Sequence, residues 1–231
     1  NVLGAMNVID ACLDKNVRRC VALSTDKASN PINLYGATKL ASDKMFVSGN
    51  SYSGSSKCKF AVVRYGNVMG SRGSVIPFFL TKQKDGYLPI TDKRMTRFMI
   101  TLEQGVRLVW KAFEDMEGGE IYVKKIPSMK VVDIASAINP KLEHKVVGIR
   151  PGEKLHEQMI GSEDAAFTYE YGDYYKIFPA IHNWSKDKKR IKGGKKVSQE
   201  FVYASDSNLE WLSQEEFSIW LSNNQEHMGK Y

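Results

Sequence analysis

The chain has 231 residues, of which 42% are hydrophobic and 26% charged, a composition typical of a soluble globular protein. It excludes a disordered chain, and the apolar runs are far shorter than the roughly 20 residues of a membrane span. Lysine and arginine outnumber the acidic residues by 33 to 26, and the net charge of +7 favours anionic partners such as phosphate-containing ligands.

The first part of the chain alternates helix and strand. Apolar residues at helical spacing predict a helix over residues 2–13, and the short apolar run at 20–23 predicts a buried strand. A second helix is predicted at about 35–47 and a second buried strand at 59–64. This alternation predicts an α/β fold in which helices cover the faces of a parallel sheet.

The middle of the chain has shorter elements. A capping box at 101–104 predicts a helix with an apolar stripe, which ends before the Gly118-Gly119 pair. The stripe consists of Leu102, Val106, Val109 and Phe113. Strands are predicted at 120–124 and 145–149, and between them a helix that starts at about Ser128 and ends at Asn139-Pro140.

A short helix is predicted just after Pro151-Gly152, and a second capping box at 213–216 predicts a helix near the end. The basic segment 186–196 is predicted to be an exposed, solvated loop. We disfavour a nucleic-acid-binding protein because no aromatic residues alternate with these charges and no nucleic-acid-binding fold signature accompanies them.

The segment 24–39 is the most informative for function, because parallel sheets form ligand sites at the carboxyl ends of their strands. Tyr35 and Lys39 are four residues apart on a predicted helix, so their side chains lie on one face. An ammonium beside a phenol favours the phenolate, which would make Tyr35 a usable base. Thr25, Asp26 and Lys27 add a hydroxyl, an acid and an amine. Each pattern alone is also common in ordinary turns and on solvated helices.

Taken together, Thr25-Asp26-Lys27 and Tyr35-Gly-Ala-Thr-Lys39 resemble the active-site segment of extended short-chain dehydrogenases/reductases, specifically of nucleotide-sugar 4,6-dehydratases. Stretches 64–74, 75–78, 90–98 and 150–157 resemble further motifs of that family in the same order, so the resemblance covers nearly the whole chain. Lys27 as the third residue of the Thr-Asp-Lys segment, together with Tyr35, resembles the pattern of the inverting UDP-N-acetylglucosamine 4,6-dehydratase branch. That branch opens pseudaminic acid synthesis for flagellin glycosylation.

The resemblance implies individual roles. Tyr35, supported by Lys39, would take the proton from O4 of the sugar, and Lys27 would take the C5 proton. Asp26 would protonate the departing 6-hydroxyl, while Thr25 would hold the sugar. Tyr35, Lys39 and Val68 would also approach a bound NADP. The residues that would contact the UDP-sugar are Asn67, Val75, Ile76, Pro77, Thr91, Arg97, Arg150 and Glu153.

The resemblance also implies an organisation. Residues 1–70 would form the second part of a Rossmann-like domain that carries the active-site segment. Residues 71–231 would form mainly a smaller mixed α/β substrate-binding lobe, with some segments returning to the Rossmann-like domain. No G-x-x-G-x-x-G loop occurs, so we expect the main NADP site in roughly 100 residues that would precede Asn1. Asn1 itself would correspond to the helix asparagine that supports the active-site lysine in many relatives.

Two alternatives stay open within this resemblance: a capsule-type 4,6-dehydratase/5-epimerase, and an inactive nucleotide-sugar-binding module that lacks the cofactor loop. We expect a homo-oligomer, dimeric or hexameric, that binds a UDP-sugar and neither nucleic acid nor a membrane. The three cysteines and four histidines lack disulfide-framework or metal-ligand spacing, which predicts no metal and a cytoplasmic location. His156 receives no catalytic role.

Overall fold

The computed structural model describes residues 1–54, 57–224 and 228. The helices in chain order are α1 (Val2–Asp14), α2 (Leu34–Tyr52), α3 (Val75–Lys82), α4 (Leu102–Asp115), α5 (Val131–Ile138), α6 (Ser162–Ala165), α7 (Lys188–Ile191) and α8 (Gln214–Asn224). The strands are β1 (Arg19–Thr25), β2 (Lys59–Tyr65), β3 (Asn67–Val68), β4 (Tyr87–Ile90), β5 (Thr96–Ile100), β6 (Ile121–Lys124), β7 (Ser128–Lys130), β8 (Glu143–Val146), β9 (Gln158–Ile160), β10 (Thr168–Glu170), β11 (Tyr174–Ile177), β12 (Lys195–Lys196) and β13 (Tyr203–Ala204). Short 3-10 turns lie at Asp26–Ala28, Gln83–Asp85 and Ile181–Lys186.

The chain divides into two compact units, and each unit is assembled from three separate segments. Unit 1 comprises 1–65, 103–125 and 158–203, and unit 2 comprises 66–102, 126–157 and 204–231. Both are mixed α/β structures, as the sequence predicts.

Unit 1 is built on a six-stranded sheet in the order β1-β2-β6-β11-β10-β12. Strands β1 and β2 run parallel with Arg19 opposite Lys59 and Thr25 opposite Tyr65, and β6 continues the parallel part. Strands β11, β10 and β12 then pair antiparallel. The parallel sheet predicted from the alternation of helices and strands is therefore confirmed for β1, β2 and β6.

Both faces of β2 are covered. Phe60 contacts Phe46 of α2, with ring centroids 6.2 Å apart. Because strand side chains alternate, Ala61 and Val63 point to the opposite face, where they pack with α4 residues such as Leu108. This two-sided burial explains why the sequence of β2 is a continuous apolar run.

Strand β1 lies at the edge of the sheet. Its apolar run alone predicts a buried strand, whereas a Rossmann-like sheet without its first strands predicts an unpaired apolar edge here. The Leu23 side chain is 52% exposed. An apolar run alone does not distinguish a central strand from an edge strand, since both favour β-branched and aliphatic residues.

The predicted helix after 101 is confirmed as α4, but its buried face is not the predicted stripe. Buried positions are Gly105, Leu108 and Ala112, whereas Leu102, Val106 and Phe113 are exposed. Apolar residues occupy more than one face of this helix, so spacing alone could not select the face that packs.

Unit 2 contains a three-stranded sheet in the order β3-β5-β7 and a parallel pair of β4 with β8. Its core is formed by α3, α5 and α8 together with residues of β4, β5 and β7. The capping box at 213–216 is confirmed: the Glu216 N–H donates to Ser213 Oγ at 3.1 Å, and the Ser213 N–H donates to Glu216 Oε2 at 2.9 Å.

Three other predictions need correction. Ser128 begins strand β7, and α5 starts only at Val131, after Lys130 in extended conformation. No helix follows Pro151-Gly152; a turn leads instead to β9. The predicted strand at 145–149 lies earlier, as β8, where it pairs with β4.

The basic segment 186–196 is also more ordered than the predicted loop. It contains α7 and the edge strand β12. Arg190 donates to the Gly118 carbonyl at 2.8 Å and lies 4.0 Å from the Trp184 ring centroid. Hydrogen bonding and cation–π contact therefore attach part of this segment to unit 1.

Candidate functional site

Residues 25–27 form a hydrogen-bonded turn at the carboxyl end of β1. The Thr25 hydroxyl accepts from the Lys27 N–H at 3.3 Å and donates to Asp26 Oδ1 at 2.9 Å. The Lys27 ammonium lies 3.1 Å from the same carboxylate oxygen. The structure thus brings the predicted hydroxyl, acid and amine into one group.

Asp26 is fully buried (0% exposed), but one of its oxygens is unused. Oδ1 has two partners, whereas Oδ2 has no hydrogen-bond partner among the residues that the structure describes. An unsatisfied buried acceptor costs about 1–3 kcal/mol. Such an atom is more typical of a group that handles a ligand or a proton than of a purely structural ion pair.

Helix α2 begins directly against this turn. The Asn33 side chain caps it by accepting from the Gly36 N–H at 2.8 Å. A Cβ atom at Gly36 would lie 2.3 Å from the Lys27 carbonyl oxygen. Gly36 therefore permits an approach that no larger residue allows, and this approach brings Tyr35 close to the turn.

Tyr35 and Lys39 lie one helical turn apart. The Lys39 ammonium donates to the Leu23 carbonyl at 2.6 Å, which leaves two of its three N–H groups for other partners. The Tyr35 side chain is 52% exposed, and its hydroxyl makes no hydrogen bond within 1–54, 57–224 and 228. Both groups retain hydrogen-bonding capacity for a ligand.

Asn1 contacts a different residue from the one that the resemblance implies. Its side-chain amide donates to Thr38 Oγ1 at 2.9 Å, and the Thr38 hydroxyl donates to the Tyr35 carbonyl at 2.9 Å. Asn1 therefore contacts the first turn of α2 through Thr38, and not Lys39 as the resemblance implies.

Three residues near this group were not singled out from sequence. Asp43 lies one turn beyond Lys39, and Arg64 is buried on β2; the two form an ion pair at 3.2 Å. Tyr65 lies opposite Thr25 in the sheet. Burial raises the pKa of Tyr65, and the nearby phenol of Tyr35 raises it further. A charged residue inside an otherwise apolar strand was the available signal for Arg64.

In unit 2, Asn67 and Val68 form β3, which pairs parallel with β5. The Asn67 side-chain oxygen is buried and lacks a hydrogen-bond partner among the described residues. Gly66 allows the close approach of the two strands, since a Cβ there would lie 2.5 Å from Phe98 Cβ. Like Asp26, Asn67 has a polar atom available for a ligand.

Four more predicted substrate residues lie on or near α3 and β4. Val75 and Pro77 in the first turn of α3 are half-buried, as is Thr91 after β4. Ile76 is only 1% exposed and belongs to the core of unit 2. Its side chain is therefore committed to packing, and only its backbone is available for ligand contact.

Arg97 is largely occupied by protein groups. It is 8% exposed, and its guanidinium donates to the carbonyls of Thr96, Lys154 and Leu155 at 2.7–3.1 Å. Glu153 and Glu157 each lie 3.8 Å away. Arg97 therefore fixes the segment that contains Glu153, whereas the exposed Arg150 guanidinium has no partner among the described residues.

The five predicted catalytic residues belong to unit 1, and Val68 and all eight predicted substrate residues belong to unit 2. Within the described ranges, no group of three or more His, Cys, Asp or Glu side chains is arranged to hold a metal ion. His227 lies outside the described residues. None of the described helices is long and apolar enough to cross a membrane.

Comparison with known proteins gives consistent matches. Residues 1–179 match the family described as polysaccharide biosynthesis protein. The UDP-N-acetylglucosamine 4,6-dehydratase (inverting) of Campylobacter jejuni is 55% identical over 223 residues, covering 94% of this chain and 67% of the relative. A UDP-glucose 4-epimerase of Rickettsia rickettsii is 39% identical over 221 residues, covering 94% and 64%.

Among solved structures, the X-ray structure of Pen from Bacillus thuringiensis aligns with a TM-score of 0.85 and 31% identity. The alignment covers 97% of this chain and 67% of that one. The chain thus spans about two thirds of the length of these relatives.

Proposed function

This chain belongs to the polysaccharide biosynthesis protein family and is closely related to its inverting UDP-N-acetylglucosamine 4,6-dehydratases, and we propose that it carries out the same reaction. The reaction removes water from UDP-N-acetylglucosamine, inverts C5 and gives a UDP-2-acetamido-2,6-dideoxy-hexos-4-ulose. The observation that carries the proposal is the buried Asp26, whose Oδ2 has no partner among the described residues while Lys27 lies beside Oδ1.

NADP is the proposed cofactor. The Tyr35 hydroxyl, which has no partner among the described residues, and the two remaining N–H groups of Lys39 suit the hydroxyls of a nicotinamide ribose. Val68 is proposed as an apolar contact of the nicotinamide. The chain contains no glycine-rich loop for the pyrophosphate, so this sequence supplies only the catalytic end of the proposed site. When bound, NADP would supply the hydride chemistry, oxidation at C4 and reduction at C6.

The protein residues move the protons. Tyr35 takes the O4 proton, and the 4-keto group then acidifies the C5 hydrogen, which Lys27 removes as a proton. The C6–O bond breaks as Asp26 transfers its proton to the oxygen, and water leaves. A proton returns to C5 on the opposite face, which inverts that centre.

Further residues are proposed individually to contact the UDP-sugar. The free guanidinium of Arg150 suits phosphate oxygens because its donors form a fork, and Glu153 would accept from ribose hydroxyls. Arg97 would act by holding the Glu153 segment, and Asn67 would bind the sugar. Further contacts are proposed for Val75, the Ile76 backbone, Pro77 and Thr91.

We also propose a homo-oligomer in the cytoplasm. Leu3 on α1 and Leu34 on α2 are among the most exposed large apolar residues, which supports an interface with a second copy on these helices. Cys12 and Cys20 carry no disulfide bond among the described residues, which suits a reducing compartment. Light scattering coupled to gel filtration measures the oligomeric state; a monomer at micromolar concentration would contradict this proposal.

The test of function uses the protein expressed from its complete reading frame. It is incubated with NADP and UDP-N-acetylglucosamine in D2O, and the product is identified by NMR. We expect a 6-deoxy-4-keto sugar with inverted C5 and deuterium at C5. A product with retained C5, a 4-epimer without water loss, or no turnover would each refute the assignment. The same assay on residues 1–231 alone distinguishes an active fragment from a binding module.

A further inference from the structure

Helix α2 carries a row of polar residues that faces the sheet. Tyr35, Lys39 and Asp43 are spaced four apart and so lie along one face. Lys39 is bound to the Leu23 carbonyl, and Asp43 Oδ2 accepts from the Ser24 hydroxyl at 2.8 Å. Two successive turns of α2 are thus attached to two successive residues of β1, immediately before Thr25.

The Asp43 contact is buried and charged. Asp43 and Arg64 are each 1% exposed, and Arg64 Nη2 lies 3.2 Å from Asp43 Oδ2. Arg64 Nη1 also donates to the Met159 carbonyl at 2.7 Å. One guanidinium therefore links β2, α2 and β9, and its Nη1 also lies 3.6 Å from Asp164 Oδ2. Removal of Arg64 would leave the buried Asp43 carboxylate without its ion-pair partner.

We propose that Asp43 is a positioning residue that fixes α2 on β1 through Ser24 and Arg64, so that Lys39 and Tyr35 keep their places relative to the Thr25-Asp26-Lys27 turn. The inference rests on the proposed function. Burial outweighs the opposing effects of Arg64, the Ser24 hydroxyl and Lys39, so the pKa of Asp43 is raised above its ordinary value. Ser24 Oγ and Arg64 Nη2 both donate to Asp43 Oδ2, and an asparagine could accept both hydrogen bonds but would lack the charge that pairs with Arg64.

The first test compares Asp43→Asn with Asp115→Asn in the complete enzyme. Asp115 pairs with the buried Lys176 in the same unit, and its other side-chain partners are Tyr122 and Lys192, none of which lies on α2 or β1. Turnover is measured per folded molecule, at a temperature well below the midpoint of thermal unfolding of each variant. We expect Asp43→Asn to lower kcat about 10- to 100-fold with KM changed less than threefold, and Asp115→Asn to leave kcat within twofold. Equal kcat for Asp43→Asn and the wild type would overturn the proposal.

Two milder changes keep the test decisive if Asp43→Asn does not fold. Ser24→Ala removes one donor and should lower kcat about 3- to 10-fold. Asp43→Glu retains the charge and, if it reaches Arg64, should recover more activity than Asn does. Wild-type kcat in Ser24→Ala would count against the proposal.

A structural measurement separates this inference from the proposed function. In a crystal structure of Asp43→Asn or Ser24→Ala, we expect the 2.6 Å contact between Lys39 Nζ and the Leu23 carbonyl to lengthen beyond hydrogen-bond distance. If this contact is unchanged in the variants, Asp43 does not position Lys39, and this conclusion does not depend on which substrate the enzyme uses. Absence of turnover in the wild type refutes the proposed function, and this contact then decides the role of Asp43 by itself.

Discussion

At the scale of single residues, Asp26 and Lys27 differ in environment although they are adjacent. Asp26 is completely buried, while about a third of the Lys27 side chain is exposed. A carboxyl group shielded from water can pass a proton directly to a bound oxygen, and an amine with access to water can exchange its protons with solvent. This difference fits the separate roles of acid and base in the proposed elimination.

The separation of roles predicts different defects for two substitutions. Asp26→Asn should lower product formation by about 100-fold or more, because a general acid contributes 10²–10⁴-fold. It should still allow C5 hydrogen exchange with D2O, since Lys27 remains. Lys27→Met should abolish both product formation and C5 hydrogen exchange. NMR of the substrate and product in D2O measures the two processes in one sample.

Asp85→Asn serves as the control, because Asp85 forms an exposed pair with Lys82. It should retain wild-type exchange and turnover. Loss of C5 exchange in Asp26→Asn to the same extent as in Lys27→Met would show that the two residues do not act in separate steps.

At the scale of elements, the geometry of the candidate site depends on how closely α2 approaches the turn after β1. The Gly36→Ala substitution tests this approach. The new Cβ would overlap the Lys27 carbonyl, and overpacking of this kind costs about 1–3 kcal/mol of unfolding free energy. The forced displacement should also reduce kcat at least tenfold. Urea unfolding and steady-state kinetics give both values.

Gly105→Ala in α4 is the matched control for a helical glycine. No atom lies within 4 Å of its added Cβ. We expect about 0.5–1 kcal/mol of stabilisation, because alanine restricts the unfolded chain, and unchanged kcat. If Gly36→Ala changed neither the unfolding free energy nor kcat, the close approach of α2 to the turn would not be needed for stability or activity.

Strand β11 and helix α4 are joined by the buried pair of Lys176 and Asp115. Burial alone would raise the pKa of Asp115, but Lys176, the Tyr122 hydroxyl and Lys192 outweigh it and lower that pKa below its ordinary value of 3.8. A lowered carboxyl pKa contributes stability above the ordinary value, and this contribution disappears as the pH falls through the lowered pKa.

We therefore expect the difference in unfolding free energy between wild type and Asp115→Asn to be constant from about pH 5 to 7 and to shrink below about pH 4. Urea titrations across this range measure it. A difference that grows on acidification would contradict the assigned direction of the shift. Other carboxylates affect both proteins and cancel in the comparison.

The sequence predicted local parts of the site better than parts that depend on tertiary contacts. Thr25 to Lys39 is a single strand-turn-helix segment, so spacing alone was enough to group its polar residues. The pairing of Asp43 with Arg64 depends on how α2 lies over β2, and the occupation of Arg97 by backbone carbonyls depends on a distant segment. Neither follows from periodicity. The two-residue strand β3 is likewise too short to give a pattern.

At the scale of the whole molecule, the main sheet has two unlike edges. The edge strand β12 has two residues, both exposed lysines, which discourage pairing with another chain. The opposite edge, β1, has seven residues and an exposed Leu23. A long apolar edge is a site for association between chains.

This asymmetry predicts that residues 1–231 expressed alone aggregate through β1. Leu23→Lys should increase the soluble fraction severalfold by placing a charge on that edge, while the backbone carbonyl that binds Lys39 is kept. Leu209→Lys, at a position that is 97% exposed, should have little effect. Light scattering at equal protein concentration compares the two. An equal increase in soluble fraction for both variants would indicate a general effect of added charge and not a specific role of the β1 edge.

The discontinuity of the two units has a consequence for folding. Residues 103–125 supply α4 and β6 to unit 1 only after the chain has passed through 66–102 of unit 2, and 158–203 join only after a second excursion. Each return must close a long loop, and closure entropy is lost before the new contacts form. Contacts so distant in sequence slow folding, so neither unit can finish before synthesis has nearly reached the end of the chain. Excision of either unit would require new linkers at two places, and cutting the chain between 66 and 157 would interrupt both.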